Sequence, residues 1–258
     1  MLNPSGIAKA ARILAERRRS GVQAERLPRD CRPEDLESAL AIQAEVTRDL
    51  GAEIGGWKCL EPPPGRLVVA PIHAEDIHRG VPVSVWAPEG FARIEPELAF
   101  VLGRDLPPRD YPYSDSEVDQ AIAHTHLVLE LIHSRYADPA EAAFPEMLAD
   151  GLLNQGLFIG PEVDPELALE ASELPITLHT RSAGPEHHQG RHPNTRPRAP
   201  LYWLVEFLRS RGKGMKAGEI VITGSYAGVL EAPMEEPVRV QFGELGEISV
   251  SFKARIEA

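Results

Sequence analysis

The chain has 258 residues, 43% of them hydrophobic, enough to bury a full core as one large domain or a small plus a large one. Its 27 basic against 39 acidic residues give a formal net charge of −12, which argues against a nucleic-acid binder, since such surfaces are ordinarily basic. No run approaches the ~18 apolar residues of a membrane span, and the first residues lack the apolar core of a signal peptide. Cys31 and Cys59 suggest neither a disulfide framework nor a zinc site. The expectation is a soluble, cytoplasmic protein, and 24 prolines point to a loop-rich α+β chain rather than a helical bundle.

Ile7, Ala10, Ala11, Leu14 and Ala15 recur at helical spacing, with Gly21 as the stop after the basic run Arg17–Arg19, which suits the negative end of a helix dipole. A second helix is predicted to start near Pro33, with Glu34 and Asp35 in its first turn, and to end before Gly51. Residues 1–54 thus read as a helical N-terminal cap region and 55–258 as a mixed-β body. Within the body, Gly55–Cys59 is followed by the turn-rich Glu61–Gly65, apolar Leu67–Ala70 and a strand-like Val81–Trp86. Ser114 and Glu117 fit a capping box that opens a helix through Val118, Ala121 and Ile122, which gives way to a strand at Leu127–Ile132. Further strands are predicted at Leu157–Ile159, Pro175–His179, Glu219–Thr223, Val238–Phe242 and Ile248–Phe252. Between them, Arg181–Pro200 reads as a long exposed loop, and Pro200 opens a helix that closes near Gly212.

Phe91–Gly103, FARIEPELAFVLG, stands out. In an extended strand Glu95 and Glu97 share one face, while Ile94, Pro96, Leu98, Phe100 and Leu102 share the other. Two neighbouring carboxylates suit a hard divalent cation, which takes oxygen ligands; they are also what an ordinary strand shows on a solvated face. Glu130, alone in the aliphatic run Leu127–Ile132, is costly there unless paired or ligating. Thr223, Gly224 and Ser225 follow a strand end in a glycine-rich turn, where hydroxyls and backbone N–H groups hold a substrate carboxylate or simply shape the turn. His187, His188 and His192 lack an ordered metal spacing, and His73, His124, His126 and His133 read as hydrogen-bonded structural histidines.

Several segments, taken together and in order, resemble the hydratase/decarboxylase branch of the fumarylacetoacetate hydrolase superfamily, which includes 2-keto-4-pentenoate hydratases and 4-oxalocrotonate decarboxylases. They are Gly56–Lys58, Ile94–Phe100 with Gly103–Leu106, Leu129–Ile132 leading to Ser134-Arg135, Gly218–Ser225, and the closing Gly243–Phe252 hairpin. The resemblance implies a helical N-terminal region on a mixed β-sheet roll, and Mg²⁺ or Mn²⁺ held by Glu95, Glu97 and Glu130. It implies Lys58 as the active-site lysine and Glu75-Asp76 as an acidic pair for proton transfer. The implied reaction is hydration of a 2-hydroxypenta-2,4-dienoate-type compound to a 4-hydroxy-2-oxo acid, as in aromatic catabolism. The alternatives are decarboxylation of a 4-oxalocrotonate-like acid, C–C hydrolysis of an acylpyruvate, and a non-catalytic homologue that binds metal or ligand. A homo-oligomer acting on a small 2-oxo or 2-hydroxydienoic acid is implied, with no nucleic-acid or membrane partner. The chain departs from the family pattern at Leu60, at His133, at Asp150–Asn154 and at Gly190-Arg191.

Overall fold

The structure is a computed structural model that describes residues 1–256. Helix α1 (Pro4–Ser20) starts at Asn3, whose side chain accepts the Gly6 N–H, and stops at left-handed Gly21. Arg17, Arg18 and Arg19 do more than face the helix dipole: they donate to the carbonyls of Arg135, Asp150 and Asp49 and tie the helix to the rest of the chain. Helix α2 (Leu36–Leu50) starts later than Pro33. The carboxylate of Asp35 accepts both the N–H and the hydroxyl of Ser38, which makes Asp35 the cap and leaves Glu34 outside.

After the helices come β1 (Ile54–Cys59), β2 (Val69–His73), β3 (Ile77–His78), β4 (Val83–Val85) and the long β5 (Phe91–Leu102). Helix α3 (Asp115–Asp119) has the expected capping box but spans only one short turn. Ala121 already accepts the Gly103 N–H and Ile122 pairs with Leu102, so β6 (Ile122–Ile132) starts where a longer helix was expected. Helix α4 (Phe144–Ala149), β7 (Asn154–Glu162), α5 (Pro165–Leu169), β8 (Ile176–Thr180) and β9 (Glu186–His188) follow. The chain closes with α6 (Ala199–Ser210), β10 (Ile220–Ile222), β11 (Leu230–Pro233), β12 (Val238–Phe242), β13 (Gly246–Val250) and β14 (Phe252–Ala254). The short α4 and α5 escape a periodicity reading because neither is long enough to show a stripe.

The main sheet has the order β2-β1-β10-β5-β6-β7-β3, with β11 also pairing β5, and it curls so that β2 packs against β7. The curl encloses Ile72, Ala99, Val128, Leu157, Ile159, Ile220 and Ile222. The convex side is covered twice. Trp57, Phe100, Leu102 and Val221 pack with α1, α2, α4 and α6, while Ile94, Leu98, Leu127 and Leu129 pack with Val240, Phe242, Ile248 and Val250 of a second sheet, β13-β12-β8-β9. The result is the expected α+β class, a helical N-terminal region with a rolled mixed sheet. The Arg181–Pro200 segment is more ordered than a free loop, because β9 extends the second sheet and His192 is buried.

The cap assignment has a direct test. Asp35→Ala should lower unfolding stability by about 1 kcal/mol in urea denaturation, and Glu34→Ala should leave it unchanged.

Candidate metal centre

Antiparallel register brings the carboxylates together. Glu95 lies directly opposite Glu130, and Glu97 opposite Val128, so the two-residue period puts all three glutamates on the concave side of the curl. One oxygen from each lies within 4.8 Å of the others. Lys58 reaches the same point from β1. Its partner Ile222 pairs in turn with Ala99, which shares the concave face with Glu97. The four charged side chains open onto a cavity of about 240 Å³ whose wall includes Leu60, Val68, Pro193 and Ile222.

The polar contacts are selective. Glu130 is fully buried, and its Oε1 accepts from Lys58 Nζ at 2.7 Å and from Asn154 Nδ2 at 2.8 Å. Its Oε2 is buried with no hydrogen-bond partner among the described residues. Glu97 Oε2 accepts the Gly224 N–H at 2.6 Å. Residue 224 must be glycine for that approach: its φ is +122°, and a Cβ there would sit 2.5 Å from Pro193 and 2.6 Å from Leu60.

Three carboxylates facing a single ammonium carry two surplus negative charges when all are ionised. Burial, followed by the Glu130 charge, therefore pushes Glu95 up to about 7. Glu97 is raised well above the usual carboxylate range by burial and then by Glu130 and Glu95. For Lys58, burial works to strip the proton, but the surrounding glutamates outweigh it and hold the ammonium above its ordinary value. The residues fit a hard divalent cation: its charge matches the surplus, and Glu130 Oε2 is a buried acceptor without a donor.

The other candidate residues separate. Gly224 and Ser225 line the cavity, but the Gly224 N–H is engaged by Glu97 and the Ser225 hydroxyl donates to Gly228 O. Thr223 is buried behind them, with its hydroxyl 3.4 Å from His192 Nε2. Glu75 and Asp76 line a different, smaller cleft of about 40 Å³ with Arg18, Trp86, His133 and Arg135, and Asp76 pairs with Arg255. Burial holds His73 at about 4 and His133 at about 3; they bond Thr47 Oγ1 and Gly21 O. Asn154 and the Leu152 carbonyl, which holds Lys58 Nζ at 3.2 Å, lie in the Asp150–Asn154 stretch, which the sequence marked only as a departure from the family pattern.

The model of the Fumarylacetoacetate (FAA) hydrolase C-terminal family matches residues 64–257. The chain belongs to this family. Two curated relatives are similar over part of their length. The 2-keto-4-pentenoate hydratase of Paraburkholderia xenovorans (strain LB400) is 24% identical over 162 residues, covering 63% of this chain and 59% of that protein. The 2-keto-4-pentenoate hydratase 2 of Dechloromonas aromatica (strain RCB) is 28% identical over 165 residues, 62% of this chain and 60% of the other. The match thus spans about three fifths of these relatives. Among solved structures, 4-oxalocrotonate decarboxylase from Pseudomonas putida G7, complexed with magnesium and adipate, superposes with a TM-score of 0.77 at 16% identity, covering 98% of this chain and 99% of that one. A 2-hydroxyhepta-2,4-diene-1,7-dioate isomerase from Mycobacterium marinum gives 0.53 at 17% identity, covering 79% and 77%. These likenesses establish the fumarylacetoacetate hydrolase fold.

Cation binding at this centre should release protons at neutral pH, because Glu95 and Glu97 hold theirs unusually tightly. Mg²⁺ affinity, titrated by calorimetry in buffers of different ionisation enthalpy, should rise as pH increases through about 7 and weaken below it. A pH-independent affinity would mean that the ion binds elsewhere.

Proposed function

We propose that this chain is a divalent-cation-dependent lyase that adds water to a 2-hydroxypenta-2,4-dienoate-type compound, giving a 4-hydroxy-2-oxo acid. The observation that carries the reading is the cluster of Glu95, Glu97 and Glu130 with Lys58 on the concave side of the curl. Mg²⁺ or Mn²⁺ would be held by the three glutamates, and when bound it supplies Lewis-acid charge to the carboxylate and keto oxygens of a 2-oxo acid.

The chain's own residues supply the rest. Lys58 is 12% exposed and protonated, so it serves as an acid or as a partner for a developing negative charge in a place where water screens little. Glu97, held by the Gly224 N–H, keeps its carboxylate turned toward Glu95 and Glu130. Leu60, Val68, Pro193 and Ile222 form an apolar wall for the uncharged tail of a short dienoate and exclude water from it. That wall and the hydratase names of the relatives detectable by sequence favour hydration. Decarboxylation is the second reading, favoured by the 98% coverage of the decarboxylase fold. Glu75 and Asp76 face another cleft, so proton transfer is assigned here to Lys58.

The decisive assay follows the ultraviolet absorbance of 2-hydroxypenta-2,4-dienoate with Mg²⁺ or with chelator. Metal-dependent loss of the dienol band, with the hydrated 2-oxo acid as product, is expected. Glu95→Ala should abolish it, and Lys58→Met should lower kcat by about 10²-fold or more. Release of CO₂ from 4-oxalocrotonate without dienoate turnover would replace hydration with decarboxylation. Turnover that persists in chelator would remove the metal from the reading.

A further inference from the structure

Between α4 and β7 the backbone makes three successive left-handed residues: Gly151 at φ 76°, Leu152 at 52° and Leu153 at 68°. Glycine adopts this region freely, but two adjacent leucines do so against Cβ crowding. Such conformations persist only where the surroundings over-determine them, and they concentrate at functional sites. Here the surroundings are a clamp. The buried Arg135 guanidinium donates from Nε to Asp150 Oδ1 at 2.5 Å, from Nη2 to Asp150 O at 2.8 Å and from Nη1 to Asn154 O at 3.0 Å, so it grips both ends of the turn. Arg18 adds a second donor to Asp150 O at 2.7 Å.

The turn's other contacts go to the carboxylate centre. The Leu152 carbonyl accepts from Lys58 Nζ at 3.2 Å, and Asn154 Nδ2 donates to Glu130 Oε1 at 2.8 Å. We infer that the turn Gly151–Leu153 and Asn154, clamped by Arg135, form a positioning device that selects the open oxygen of Glu130 and aims the Lys58 ammonium. Lys58 and Asn154 together occupy Oε1 and leave Oε2 for a cation. Of the three ammonium hydrogens, Glu130 and Leu152 take two, which leaves one for substrate. Asn154 and the residues of the turn are positioning residues, acting through Glu130 and Lys58. The inference rests on the carboxylates being the cation site, and one arm of its test needs no substrate.

That arm is Mg²⁺ titration by calorimetry, without substrate, on the wild type and Asn154→Ala, with a thermal melt of each. Asn154→Ala should keep its fold and bind Mg²⁺ about tenfold more weakly or worse, the usual cost of removing a group that orients a metal ligand. Should that variant not fold, Asn154→Ser, too short to reach Glu130, takes its place. The second arm is Leu152→Gly, which tolerates the left-handed backbone and so frees the turn to move. Its kcat on 2-hydroxypenta-2,4-dienoate should fall several-fold while KM holds, a split that a merely structural role would not produce. Wild-type Mg²⁺ affinity in the folded Asn154 variant overturns the inference. If the wild type binds Mg²⁺ but turns over no dienoate, hydration fails and the Asn154 arm still decides the positioning role. If the wild type binds no Mg²⁺, both fall.

Discussion

Concentrated negative charge in a place that water hardly reaches is the constraint around which this molecule is built. Glu97 and Glu130 are nearly or fully buried beside Glu95, and among the described residues only Lys58 offsets them. An unpaired buried charge costs several kcal/mol, and burial beside other carboxylates raises the proton affinity of Glu95 and Glu97. Gly224 takes one Glu97 oxygen, Lys58 and Asn154 share one of Glu130, and the remaining Glu130 oxygen is left without a donor. The apolar packing is arranged to make this possible. Ile222, Ala99 and Val128 fill the curl behind the carboxylates, and two separate cores hold the convex side.

Much of this was legible in the sequence because it follows from a period of two. Glu-x-Glu in an apolar strand declares its two faces, and a lone Glu130 in an aliphatic run declares that it has business there. Register then does what a linear reading cannot. Nothing in the residues of β5 and β6 states that Glu95 sits opposite Glu130, and a slip of one position would have turned Glu130 to the convex side. The resemblance to the family named the three glutamates together but not their register.

Other features were illegible for identifiable reasons. The turn at Gly151–Leu153 places leucines where local rules reserve the conformation for glycine or asparagine, and the distant Arg135 and Arg18 explain it. The segment after Arg181 is dominated by loop-forming residues, yet pairing of Glu186–His188 with Ile176–Leu178 overrides composition. Glu75 and Asp76 are close in the chain to the strands of the centre, but their short 3₁₀ turn and the Arg255 contact keep them at a separate cleft.

The three-residue strand β10 has a consequence for how the protein is made. It is the sole link between β1 and β5 in the order of the sheet, pairing in parallel with one and antiparallel with the other. The residue that caps Glu97 follows two positions after it. During ribosomal synthesis, therefore, the glutamates and the lysine emerge long before the strand that unites them, and the acidic segments must wait with their charges solvated. The late arrival of β10 makes assembly of the centre one of the last events of folding, since pairings between distant parts of a chain form slowly. A nascent chain halted before Ile220 carries all three glutamates on the paired β5 and β6 but lacks the strand that sets Lys58 beside them.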